Sequence, residues 1–135
     1  MKNFIRLHNS DDNGVIIVNT DTIVIVGTKR DGDRTMAKLI LKNYANISPF
    51  SVNETPEMII KPDDKDFIVL HDAEYNNVVI CRKDNIAVVD TVKVMNGRLL
   101  KSRIYFDNEC DMKPILVHES AEKIMQSLVP EVESK

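Results

Sequence analysis

Short β-branched runs separated by turn residues set the pattern of this chain. Val15 to Val18 and Thr22 to Val26 are two such runs, bounded by Asp-Asn-Gly and Asn-Thr-Asp, the punctuation of short antiparallel strands. Lys38-Leu39-Ile40-Leu41-Lys42 and Arg103-Ile104-Tyr105-Phe106-Asp107 keep Leu39 with Leu41, and Ile104 with Phe106, on one face. A period of two predicts strands with one buried side. Asp31-Gly32-Asp33 and Asn96-Gly97 supply residues that tolerate positive φ at the tips of long hairpins. Pro49 and Pro114 open short extended segments ending at Val52 and Val117, after which Thr55-Pro56-Glu57 and Ser120-Ala121-Glu122 read as helix starts. A hydroxyl caps free amides there, proline suits the first helical position, and Glu sits at the positive end of the dipole. Ala121, Ile124, Met125 and Leu128 make one apolar stripe toward a sheet, on a helix that stops before Pro130. The helix after Thr55 is cut short by Pro62, which disfavours helical geometry at Lys61.

The pattern occurs twice. Residues 66–91 laid over residues 3–28 at an offset of 63 are identical at 11 of 26 positions, among them Phe4/Phe67, Leu7/Leu70, His8/His71 and Ile17/Ile80. At an offset of 65, residues 104–125 match residues 39–60 at six of 22, including Pro49/Pro114, Val52/Val117 and Glu54/Glu119. The two-residue difference falls between apolar runs, where a hairpin tip absorbs it. The expected fold is therefore α+β and strand-dominated: an internal duplication of a β-β-β-β-(β)-α unit. Residues 1–60 form the first repeat, 61–65 the linker and 66–130 the second repeat. A unit of this size has little core of its own. The two are expected to bury a common face as one compact body about a pseudo-two-fold axis, in the manner of a fused homodimer.

With 43% hydrophobic and 29% charged residues, the 135-residue chain has the composition of a folded globular protein. The stretch MKNFIRLHNSDDNG interrupts its apolar residues with Arg6 and His8 and lacks a small-residue cleavage site, so neither a secretory signal nor a membrane partner is expected and the location reads as cytoplasmic. Cys81 and Cys110 have no C-x-x-C spacing and read as buried small residues.

In both copies these motifs resemble the small flagellar regulatory family FlbD and its short relatives. The family's N-terminal Phe-Ile-x-Leu strand stands here as Phe4-Ile5-Arg6-Leu7 and Phe67-Ile68-Val69-Leu70. Its Val-Asn-x-Asp-x-Ile segment stands as Val18-Asn19-Thr20-Asp21-Thr22-Ile23, with Asp84-Asn85-Ile86 in the second copy. Its closing segment stands as Val52-Asn53-Glu54-Thr55-Pro56-Glu57-Met58-Ile59 and Val117-His118-Glu119-Ser120-Ala121-Glu122-Lys123-Ile124. The resemblance implies a small regulatory fold with no catalytic residues to carry over. The chain departs from the family in being duplicated and in its long basic hairpins.

His8 and His71 occupy equivalent strand ends, where a two-fold axis would bring them together as metal ligands or a proton switch, although no third ligand has a recognisable spacing. Asp11-Asp12-Asn13-Gly14 and Asp63-Asp64-Lys65-Asp66 lack EF-hand spacing and read as solvated turns. Phosphate-binding glycine loops and nucleophile elbows are missing from a chain with four glycines. Enzymatic activity and a cofactor are accordingly not expected.

Charge is more informative. The segment 28–43 carries Lys29, Arg30, Arg34 and Lys38, and the segment 92–103 carries Lys93, Arg98, Lys101 and Arg103 without an acid, on a chain of net charge −3. Such arms would suit an acidic partner surface or a polyanion. The reading is a non-enzymatic binding or regulatory module. Its expected partner is another protein, recognised through strand edges or the basic hairpins. A nucleic-acid-binding regulator is the alternative, and self-association of the whole chain stays open.

Overall fold

The computed structural model describes residues 3–94, 97 and 99–129. Asn96, Arg98 and Pro130, which the sequence reading used, lie outside the described residues. In chain order the elements are β1 (Phe4–His8), β2 (Val15–Asn19), β3 (Ile23–Asp31), β4 (Arg34–Leu41), β5 (Phe50–Val52) and α1 (Pro56–Ile59). The series then runs again: β6 (Phe67–His71), β7 (Val78–Arg82), β8 (Ile86–Val94), β9 (Leu99–Phe106), β10 (Ile115–Val117) and α2 (Ala121–Leu128). Single 3₁₀ turns at Thr20–Thr22 and Lys83–Asn85 lead into β3 and β8. The fold is strand-dominated α+β, and every sheet is antiparallel.

Turn chemistry explains the hairpins. Asn13 and Asn76 adopt φ of 62° and 59°, the left-handed conformation that asparagine tolerates, and close the β1–β2 and β6–β7 turns. Gly32, at φ 63°, turns β3 into β4. Nothing lies within 4 Å of a Cβ built there, so backbone strain and not crowding selects glycine.

Pairing joins the two series into one body. The central sheet has the order β5-β4-β3-β7-β6, with Ile25, Val26 and Gly27 of β3 opposite Cys81, Ile80 and Val79 of β7. The β1–β2 hairpin and the meander β10-β9-β8 are separate sheets, tied to the central one by the bridges Asn9↔Val52 and Asp72↔Val117. Followed through pairs and bridges, the strands run β2-β1-β5-β4-β3-β7-β6-β10-β9-β8. A two-fold relation between the halves would repeat the β3·β7 pairing as β8·β2. Among the described residues that second pairing is not made, so the halves join on one side only.

Both faces of the central sheet are buried. Leu7, Val18, Val26, Leu39, Val52, Ile59, Phe67 and Ile80 belong to one apolar cluster; Ile25, Leu70, Cys81, Ile104, Val117 and Ile124 belong to the other. Each cluster draws on both halves. A bulge between Ile23 and Ile25 breaks the alternation of β3, sending Ile23 and Val26 to the first cluster and Val24 and Ile25 to the second. The free cysteines Cys81 and Cys110 are buried as expected, and burial pushes the Cys110 thiol up to about 11.

Some local expectations change. Met125 is exposed rather than packed on the sheet, because Ile124 points inward from α2 and no described residue covers the neighbouring face. Ser120 caps α2 by accepting from the Lys123 amide at 3.2 Å, whereas the Thr55 side chain makes no capping bond. The first helix stops at Ile59, before Pro62 forces it to, since Ile60 is already extended and buried.

Candidate functional site

Each half carries a histidine clamped by a glutamate. The His8 amide donates to Glu54 Oε1 at 3.0 Å and its ring Nδ1 lies 2.6 Å from Oε2. In the second half His71 meets Glu119 in the same way, at 3.0 and 2.7 Å. The amides of Asn53 and His118 donate to the carbonyls of His8 and His71, both at 2.8 Å. An ionised carboxylate only accepts, so the ring proton sits on Nδ1. Burial raises the affinity of Glu54 and Glu119 for a proton, but the hydrogen bonds from the histidine rings and amides outweigh it and hold both carboxyls below their ordinary range. The clamps fasten the end of β1 to β5 and the end of β6 to β10. Each histidine is thus engaged by the carboxylate of its own half, not by the other histidine. No group of three or more His, Cys, Asp or Glu side chains placed to hold a metal exists among the described residues.

Most of the basic side chains are engaged within the chain. Lys29 reaches Ser51 Oγ at 3.3 Å, Arg30 reaches Asn77 Oδ1 at 3.1 Å, and Arg34 donates to Asn53 Oδ1. Lys101 Nζ lies 2.8 Å from His118 Nδ1. Arg103 pairs with Asp90 at 3.2 Å and lies over the Tyr105 ring. Lys38 and Lys93 are exposed. A depression of about 620 Å³ between the β6–β7 turn and β10 includes Asp72, Tyr75, Lys101 and Leu116. Glu74 lines it as well, and the Asp72 carboxylate is committed to the turn, accepting from the amides of Tyr75 and Asn77.

Two exposed apolar faces lie at the ends of the strand series. The strand series ends at β2 and β8, whose outer edges are unpaired among the described residues. On the face of the β1–β2 hairpin away from its core, Phe4 is 60% exposed and Ile17 59%; the equivalent residues of β6 and β7, Phe67 and Ile80, are 6% and 0% exposed. On β8, Val88 is 52% exposed where its β3 counterpart Ile25 is 2% exposed. Beside it, a groove of about 290 Å³ runs between β8 and α2, lined by Ile86, Val88, Val89, Ile124, Met125 and Leu128. Glu54, Glu119 and these two edges are absent from the residues singled out by sequence alone. The glutamates had a signal, since they match across the repeat together with His8 and His71.

No protein-family model, curated protein or solved structure matches the chain. Among the described residues no helix is long and apolar enough to cross a membrane.

Proposed function

We propose that the chain is a duplicated, non-enzymatic recognition module that binds a protein partner by strand addition at the free edges of β2 and β8. The observation that carries this reading is the pair of unpaired edges with large apolar side chains beside them. Main-chain groups of an edge strand offer affinity to any extended segment, and adjacent apolar pockets select among its side chains. The duplication is supported by the identities at offsets of 63 and 65 and by the matched histidine–glutamate clamps. In this reading the repeats are joined head to tail, in place of the two-fold dimer expected from the sequence, because β3·β7 has no β8·β2 counterpart. The FlbD-like motifs, which occupy the strands and caps of both units, accord with a regulatory binding role.

The polyanion reading is the weaker one. Arg103 is paired with Asp90, and Arg30 and Arg34 hold loops of the protein itself. The test is selection of seven-residue peptides from a random displayed library on the full chain, with the site mapped by amide chemical shifts. Shifts confined to residues 15–19 and 86–91, lost in an Ile17→Lys, Val88→Lys double variant, are expected. Binders that map elsewhere, or that ignore the double variant, would overturn the reading. Tight binding of generic DNA that falls steeply with salt would favour the alternative.

A further inference from the structure

Resting on the strand-addition reading, we infer that the partner of these edges is a second copy of this chain, joined head to tail, with β2 of one molecule added to β8 of the next. The molecule already contains the template. Inside one chain, β7 adds to β3 with Ile25 opposite Cys81, Val26 opposite Ile80 and Gly27 opposite Val79. Phe67 and Ile80, from the far face of the β6–β7 hairpin, then sink into the core of the first half. Thr28 Oγ1 locks the pairing by donating to the Val78 carbonyl at 2.7 Å.

Every part of that junction has a free counterpart. The plug is the β1–β2 hairpin, where Phe4, Val15 and Ile17 match Phe67, Val78 and Ile80 by identity and are exposed. The socket is the groove between β8 and α2: Ile86 and Val89 stand where Ile23 and Val26 receive the plug in the first half, and Ile124 stands where Ile59 lines it. Met125, helical where Ile60 is extended, lies exposed beside the groove. Thr91 repeats Thr28 and faces the same task toward the carbonyl of the incoming Val15. Transferring the template fixes the register between molecules as Val88 opposite Val18, Val89 opposite Ile17, and Asp90 opposite Ile16.

The two junctions differ at position 90, where an Asp90–Arg103 pair replaces Gly27. A charged pair at an edge weakens strand addition without removing its apolar part, which makes the contact between chains reversible where the internal one is permanent. Because plug and socket lie at opposite ends of the strand series, the contact is heterologous. It builds open chains or closed rings and does not stop at a pair of molecules.

The experiment is sedimentation of the full chain over a concentration series, with Ile17→Lys, Val88→Lys and their mixture. Wild type is expected to grow beyond two chains as concentration rises. Each variant, charging the plug or the β8 edge beside the socket, weakens association about 30-fold, the loss expected for charging one buried aliphatic. The variants mixed one to one recover association and stop at a heterodimer, since each retains the half the other lacks. Both sites are exposed in the single chain, so folding of the variants is checked by unchanged circular dichroism and Tm. A wild type that stays monomeric at its solubility limit, or a dimer that neither variant affects, would overturn the inference. If peptides still map to the two edges of that monomer, strand addition stands and only self-association falls; if none do, both fall.

Discussion

Ile17 and Ile80 are the same residue at the same place in equivalent strands, yet one is more than half exposed and the other fully buried. Nothing in their local sequence separates them, since Val-x-Ile runs through both strands. The difference arises one level up, in whether a neighbouring β-strand and apolar socket lie alongside. A side chain on such a strand face carries burial energy only where another strand or cluster lies against it. The comparison therefore separates what the unit does for itself from what it does for its neighbour.

The largest effect should appear when this asymmetry is tested by truncation. Ile80→Ala opens a cavity in the first cluster and is expected to cost about 2–4 kcal/mol in urea unfolding, whereas Ile17→Ala, measured on dilute chain, should stay within about 0.5 kcal/mol. Equal losses at the two positions would mean that the β1–β2 face is covered within one molecule, and the comparison would collapse.

The clamps give the opposite contrast, because there the halves are alike. Glu54→Ala and Glu119→Ala each strand a histidine amide and ring donor, at an expected cost of about 1–3 kcal/mol apiece. The two sites share no partners, so the double variant should lose roughly the sum. A loss at only one of them would show that the other half does not depend on its clamp.

What the sequence made legible was local. The left-handed Asn13 and Asn76 are not singled out, whereas strand runs, the Gly32 and Gly97 turns and the helix starts follow from spacing two, from Asp31-Gly32-Asp33 and Asn96-Gly97, and from Pro56 and Ser120. The β3·β7 junction did not, because a run such as Val-Ile-Val offers the same pattern to any strand partner, and only the fold decides which edge is consumed. The histidines were visible as a matched pair but their partners lie 46 and 48 residues away, across a bridge whose register no local pattern encodes. Charge along a hairpin is legible for a related reason, whereas its engagement with Asn77, Asn53 and Asp90 is a matter of three-dimensional neighbours.

The smallest expected effect concerns pH, and its sign is fixed by the clamps. Burial alone would raise both glutamates, but the histidine ring and amide bonds leave each folded carboxyl below the ordinary value of 4.5. In the folded chain protons therefore bind less readily than in the unfolded one. The stability so gained is present above that ordinary value and is lost as pH falls through the lowered folded pKa. A fall in Tm on acidification below about 4.5, made shallower in a Glu54→Gln, Glu119→Gln double variant, is the expected result. Since protonation also frees the ends of β1 and β6, amide exchange should rise first at His8 and His71, beside β2 and β7. An acid transition identical in the double variant would place the titrating groups elsewhere and leave the clamps as geometric ties alone.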